Sequence, residues 1–330
     1  MKDRTRNLNA ENSAVISYAN SIPKVEDVLI VSTDKDMLEN ESLSIATKDT
    51  TVSLKLKLQD NASGISRLYI NDSDTKSATG IEAPTGNVLL SSESKVLDSA
   101  GNEISGVTFV TGQSGEGSYL EFASPVNAET LTGYQITKVK MPESGGSIQE
   151  GKNLFYVVAY NEIMNRNDSA VSGSIIYDKT PPKPVVDLMA PEHFNPKLAH
   201  VNGSSYTQYY SKNDNTVWVI KSPYYMKGSG DDTRSDGKDS AGFWKATYKV
   251  DGGTEKDLSQ QTEASVQITG SAEIEVYAYD AINNKSVPNA TDKSCFTVKK
   301  DITAPVMSDL EIIAATGYTA KKDESLTSDA

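Results

Sequence analysis

A five-residue signature closed by asparagine occurs three times in this chain, at Asp3-Arg-Thr-Arg-Asn7, Asn161-Glu-Ile-Met-Asn165 and Asp280-Ala-Ile-Asn-Asn284. Each copy leads into a short apolar stretch that ends on a proline, at Pro23, Pro182 and Pro305. Each proline is followed by a similar start, from Val25, Val185 and Val306. Repetition constrains a fold strongly, because whatever one copy forms the others must form too. The copies stand about 160 and about 120 residues apart, too far for a solenoid and right for whole domains. The chain therefore reads as tandem modules. Residues 24–182 and 183–305 are expected to be complete, with 1–23 the last strand of a preceding module and 306–330 the first strand of a following one. The longer first module implies an insertion of about 35–40 residues, placed near 75–133.

The type of module follows from period-two alternation. Val52-Ser-Leu54-Lys-Leu56-Lys-Leu58 alternates apolar and polar residues without error, which is a strand with one face in a core and its lysines in water. Asp60-Asn-Ala-Ser-Gly64 carries turn chemistry, and Ser66–Ile70 is the next expected strand. Phe155, Val157 and Ala159 align with Ile274, Val276 and Ala278 as the inward set of one shared strand, with Glu275, Tyr277 and Tyr279 outward in the second copy. Thr216–Ile220, Ala246–Val250 and Ser265–Thr269 add strands, and Asp251-Gly252-Gly253 supplies a tight turn. No stretch sustains a 3.6-residue apolar period. The expected fold is all-β, built as β-sandwich modules.

Composition removes several functions. The net charge is −13, against the basic stripe a nucleic-acid partner requires. No run of about 18 apolar residues exists to cross a membrane as a helix. Cys295 is alone, so no disulfide forms within the segment, and nothing is placed to activate its thiol. His193 and His200 stand seven apart in an irregular stretch without further zinc ligands, and read as surface histidines. There is no phosphate loop, no dinucleotide fingerprint and no Gly-x-Ser-x-Gly elbow. The reading is of a chain that is not an enzyme.

Three pieces of the second module carry a resemblance: Tyr248-Lys-Val-Asp-Gly-Gly253, Val276-Tyr-Ala-Tyr-Asp-Ala-Ile-Asn-Asn284 and Asp301-Ile-Thr-Ala-Pro305. Leu58–Ile65 and Asp178-Lys-Thr-Pro-Pro182 extend it to the first. Together they resemble the tandem immunoglobulin-like repeats of bacterial cell-surface proteins, a strand, an Asp-to-Asn turn, a last strand and an Asp-x-Thr-x-Pro hinge. The resemblance implies tandem immunoglobulin-like sandwiches acting as an extracellular stalk or adhesin. The partner would be a protein or glycan of a host or neighbouring cell. Lys–Asn isopeptide cross-links occur in some such modules, but the outward phase of Lys55 and Lys57 counts against one here. Two other functions remain open at this point. One is a carbohydrate-binding accessory region of a secreted enzyme, using Tyr206, Tyr209, Tyr210, Trp218, Tyr224, Tyr225 and Trp244. The other is a phage tail or fibre decoration.

In sandwiches of this kind the B–C and F–G loops and the incoming hinge share one pole. For the second module that would gather Asp178 from the hinge, Asp231, Asp232, Asp236 and Asp239 from the B–C loop, and Asp280 with Asn283 from the F–G loop. Calcium takes six to eight oxygen ligands, so these residues would suit a calcium ion that stiffens the hinge. The same residues are also good turn formers. Asp232-Thr-Arg-Ser-Asp-Gly237 is not an EF-hand loop, since Arg234 stands where a ligand is needed.

Overall fold

The computed structural model describes residues 21–32, 46–75, 83–113, 117–186, 208–211, 215–219, 224–226, 228–233, 236–258, 264–266, 269–300 and positions 303, 306 and 308. Among them every regular element is a strand. In chain order these are β1 (Lys24–Ser32), β2 (Ala46–Thr47), β3 (Thr51–Asn71), β4 (Lys95–Asp98), β5 (Val107–Val110), β6 (Tyr119–Lys140), β7 (Glu143–Ser144), β8 (Ser147–Ile148), β9 (Gly151–Asn161) and β10 (Val171–Tyr177). There follow β11 (Lys183–Val186), β12 (Gln208–Ser211), β13 (Thr216–Val219), β14 (Tyr224–Met226), β15 (Gly228–Asp231), β16 (Phe243–Val250), β17 (Lys256–Leu258), β18 (Ala264–Val266), β19 (Ser271–Asp280) and β20 (Cys295–Lys300). The architecture is all-β, with several sheets and no closed barrel, as a β-sandwich requires.

Contacts divide the chain into two compact units. One comprises Met1–Asp187, Met226–Ala264 and Glu273–Phe296; the other comprises Leu188–Tyr225, Ser265–Ala272 and Thr297–Ala330.

In the larger unit the main sheet runs β2-β10-β9-β3-β6-β4, with β1 also on β3 and β5 on β6. Most of the alternation at 52–58 is realised: Val52, Leu54, Leu56 and Leu58 are buried and Lys55 and Lys57 are exposed, while Ser53 on the outward phase is buried too. The expected turn at 60–64 takes a different form. It is a bulge inside one 21-residue strand, β3. Asp60 Oδ1 accepts the N–H groups of Ala62, Ser63 and Gly64, which leaves the chain free to resume extended geometry at Ile65. Gly64 is required there: its φ is +79°, and a Cβ would lie 2.8 Å from Pro125 Cβ. Beyond the bulge β3 pairs with β9, and the 22-residue β6 follows β3 along its length.

The 75–133 stretch thus adds β4, β5 and much of β6 to the sheet. It accompanies a second apolar cluster of Tyr69, Ala83, Tyr119, Val158 and Tyr160. Val158 and Tyr160 are the outward residues of β9, which alternation alone would send to water, and both are buried here. The tyrosines meet ring to ring at 5.1 and 5.4 Å. Beside them Arg166 and Asp74 form an ion pair of 2.6 Å with both side chains almost wholly buried.

Also in this unit, β16 pairs with β17 and β19, placing Ala246 opposite Ala278 and Tyr248 opposite Val276. Ile274, Val276 and Ala278 are fully buried, while Glu275, Tyr277 and Tyr279 face outward, half-buried. β11 pairs with β15. In the smaller unit, β12 lies antiparallel on β13, and β13 runs parallel to residues 297–300 of β20.

Candidate functional site

The turns after β9 and β19 have one structure. In the first, the N–H of Asn161 donates to Asn165 O, Met164 N–H to Asn161 O, and Asn165 N–H to Asn161 Oδ1. In the second, Asp280 N–H donates to Asn284 O, Asn283 N–H to Asp280 O, and Asn284 N–H to Asp280 Oδ1. The fourth residue of each adopts left-handed backbone, with φ of 66° at Met164 and 64° at Asn283. Asparagine tolerates that region and methionine pays for it. The equivalence continues outward. Gly64 O accepts from Glu162 N–H as Gly242 O accepts from Ala281 N–H, both glycines at positive φ. Ala159 and Asn167 bond each other as Ala278 and Ser286 do. Asp60 and Asp232 are therefore counterparts, each accepting the N–H of its glycine. The connecting loop runs from 60 to 64 in one copy and from 232 to 242 in the other.

Each turn grips the chain segment that enters its own copy. Asn161 Nδ2 and Asn165 Nδ2 donate to the carbonyl of Ser21 at 3.0 and 3.2 Å. Asn284 Nδ2 donates to the carbonyl of Asp178 at 3.1 Å. The Ser21 carbonyl stands before Pro23 and the Asp178 carbonyl before Pro181 and Pro182. The sequence signalled this only as asparagines at a spacing of four. That the last asparagine reaches back to the hinge carbonyl was not readable from it.

The surroundings of the two turns differ in charge. In the second, carboxylate oxygens of Asp178, Asp232 and Asp280 all lie within 4.8 Å of one another, with Asp178 and Asp280 buried and Asp232 partly so. Asp178 Oδ2 accepts the Ala241 N–H, Asp232 Oδ2 the Gly242 N–H, and Asp280 Oδ2 the Asn284 amide at 2.6 Å. Burial pushes the Asp280 carboxyl up to about 6, against the Asn284 and Ile282 hydrogen bonds that favour its charge, and Asp178 adds repulsion. Burial raises Asp232 as well, with Asp178 again contributing. Three carboxylates so placed attract a proton or a cation, and these three could supply oxygens to a divalent ion. Around the first turn, Ser21, Asp60 and Asn161 stand at the same positions. There the Asn161 amide donates to Asp60 Oδ2 at 3.2 Å, so a neutral donor meets the one carboxylate.

The other acidic candidates lie outside the three-carboxylate cluster. Asp231 Oδ1 caps the Thr233 N–H, Asp236 Oδ1 caps the Lys238 N–H, and Asp239 and Asn283 are exposed. His193, His200 and Tyr206 lie outside the described residues, as do the side chains of Tyr209, Tyr210, Tyr224 and Tyr225. Lys299 Nζ sits 5.4 Å over the Trp218 ring and Lys245 Nζ 4.3 Å over that of Trp244, so a cation already faces each indole. Cys295 is half-buried, and burial together with Glu273 and Glu275 raises its thiol, which disfavours the nucleophilic thiolate.

No protein-family model and no curated protein matches this chain. Solved structures with some likeness include bacterial adhesin and pilin domains. The C-terminal domain of the Streptococcus agalactiae AgI/II polypeptide BspA is 13% identical, with a TM-score of 0.34, over 84% of this chain and 100% of that one. The SrpA adhesin of Streptococcus sanguinis is 10% identical, with a TM-score of 0.25, over 67% and 92%. BcpA, the major pilin subunit of Bacillus cereus, is 11% identical, with a TM-score of 0.27, over 84% and 66%. Likenesses this slight carry no function with them. Function has to come from the chain's own geometry.

Proposed function

We propose that this chain is a non-catalytic run of immunoglobulin-like β-sandwich modules from a bacterial surface protein, serving as an extracellular stalk and adhesion segment. The observation that carries the reading is the repeated grip of Asn161 and Asn165 on the Ser21 carbonyl and of Asn284 on the Asp178 carbonyl. A bare proline linker would let neighbouring modules swing, since small inter-domain interfaces permit motion by default. Tying each hinge carbonyl to the F–G turn of the module that follows removes part of that freedom, which suits a segment whose work is reach. The contacts of such a stalk would be with a protein or glycan of a host or neighbouring surface. Asp178, Asp232 and Asp280 are the groups that would hold calcium at the second joint, adding charge neutralisation to the grip.

Small-angle scattering on the whole chain tests this. Asn284→Ala should broaden the distance distribution, and it also lowers stability by removing the 2.6 Å bond to the buried Asp280 carboxylate, so the profiles are compared well below the melting range. Chelation should broaden the wild-type profile in the same direction. Superimposable profiles for wild type and Asn284→Ala, with and without calcium, would show that the grip does not govern the joint and would sink the stalk reading.

A further inference from the structure

The outward face of β16 and β19 carries rings and ammonium groups in alternation. Lys245 stands across from Tyr279 and Thr247 across from Tyr277. Lys245 Nζ lies 4.3 Å from the centre of the Trp244 ring and 5.2 Å from that of Tyr279. Lys285 Nζ follows at 5.3 Å from Tyr279 and 4.0 Å from Tyr277, and Lys249 Nζ at 5.2 Å from Tyr277. The rings and cations thus form one row, each cation held by a ring quadrupole. Glu255 ties the row together, accepting the Thr247 and Tyr279 hydroxyls and the Lys285 ammonium. Trp244 joins at the register shift between Phe243 and Lys245, where a bulge re-aims a side chain.

The first copy has the same face and closes it. Arg67 stands across from Tyr160 as Lys245 does from Tyr279, and Arg166 bridges to Tyr160 as Lys285 does to Tyr279. The 75–133 stretch supplies a cover, with Ala83 and Tyr119 in the cluster around Tyr160. The Tyr119 ring lies 4.6 Å from the Arg67 guanidinium, and the Glu121 carboxylate approaches Arg67 at 4.0 Å. Under that cover Tyr160 and Arg166 are each 1% exposed. The second copy has no such stretch. Trp244 is 46% exposed even with Lys245 over it, and Tyr277 and Tyr279 are only half-buried. Glu255 serves Lys249 and Lys285. Trp244 gives Lys245 a ring as Tyr119 gives Arg67 one, but among the described residues no carboxylate takes the part of Glu121.

We infer that this face binds a glycan bearing carboxylated sugars, with a sugar carboxylate on Lys245 and the apolar side of a neighbouring sugar ring on Trp244. The proposal rests on the adhesion reading above and names its partner. The row is extended, so it suits a chain of sugars rather than a single one. Its side chains are already held by one another and by Glu255, so little freedom is lost on binding. Three lysines stand against Glu255 and Glu275, a small positive excess in a chain of net charge −13. That excess answers scattered carboxylates, not the unbroken phosphates of a nucleic acid.

Calorimetric titration of the whole chain with a hyaluronan hexasaccharide, in which a uronic acid alternates with a neutral sugar, tests it. The wild type should bind with a Kd below about 1 mM. The carboxyl-reduced hexasaccharide should bind roughly tenfold more weakly or worse, the scale of one lost contact to a charged group. Lys245→Glu and Trp244→Ala should each weaken binding by a similar factor, and Lys55→Glu, at an exposed lysine of the first copy, should leave it unchanged. No binding by the wild type, equal binding of the carboxyl-reduced sugar or of an oligothymidylate, or unchanged affinity in the Trp244→Ala and Lys245→Glu variants would each overturn the proposal. The stalk reading stands or falls separately, on the scattering of Asn284→Ala, which leaves this face intact.

Discussion

Asp280→Asn should stabilise the protein at neutral pH and remove much of its pH dependence, although it deletes a charge that makes three hydrogen bonds. A carboxyl near 3.9 in the unfolded chain and near 6 in the folded one differs by about two units, or roughly 3 kcal/mol. The folded value is the higher one, so the proton favours folding. The contribution is fully present below about pH 4 and is lost as pH rises through 6. Asparagine imitates the protonated carboxyl. Its Oδ1 keeps the Ile282 and Asn284 N–H groups. Its Nδ2 loses the 2.6 Å bond from Asn284 but can turn to Asp232, as Asn161 turns to Asp60 in the other copy. The net gain at pH 7.5 should therefore fall between about 1 and 3 kcal/mol, shrinking to nothing near pH 4. Urea melts of both proteins from pH 4 to 8, with a chelator present, measure it. Millimolar calcium should then raise the wild type at pH 7.5 and leave Asp280→Asn nearly unmoved. If the substitution destabilises at pH 7.5 while the wild type is flat across the range, the three carboxylates are not in conflict and the reasoning fails.

Removing one member of the buried Arg166–Asp74 pair, as in Arg166→Met, should cost about 3–5 kcal/mol by stranding a charge. The Arg166→Met/Asp74→Ala double variant should cost clearly less than the two singles summed, because Arg166 Nε and Nη1 make no hydrogen bond as it is. A denaturant double-mutant cycle reads this. Met164→Asn should stabilise by about 0.5–1 kcal/mol in thermal melts by relieving left-handed backbone at the position where the second copy has Asn283. Val276→Ala should cost about 1–3 kcal/mol and the outward Tyr277→Ala distinctly less, and the reverse order would contradict the strand phase.

The alternation at 52–58 and 274–279 translated into burial at every apolar core position, with Ser53 the outward residue that is buried all the same, because period two sets one face of a strand toward the core. The bulge at Asp60–Gly64 was hidden for a physical reason. Asx capping and a positive-φ glycine serve a turn or a bulge equally well, and only the length of β6 decides between them. The burial of Val158 and Tyr160 was hidden because part of what covers them, Ala83 and Tyr119, comes from the 75–133 stretch, which has no repeat partner to be read against. At the site, Asp178, Asp232 and Asp280 were legible as acidic groups on three converging segments. Asp60 was not, since nothing in a five-residue turn announces that it matches the first residue of a longer loop. Asn161 and Asn284 stood out by spacing, but a side-chain grip on a carbonyl a whole module upstream leaves no local trace.

That separation sets a clock. Asn161 lies 140 residues beyond the Ser21 carbonyl it holds, and Asn284 lies 106 beyond that of Asp178. On a ribosome adding about 5–20 residues per second, a hinge emerges and then waits on the order of 5–30 s before its clasp exists. On the modular reading proposed above, the nascent chain is a string of loosely tied beads. Each knot is drawn tight only by the bead made after it, so the last hinge to emerge is always the slack one.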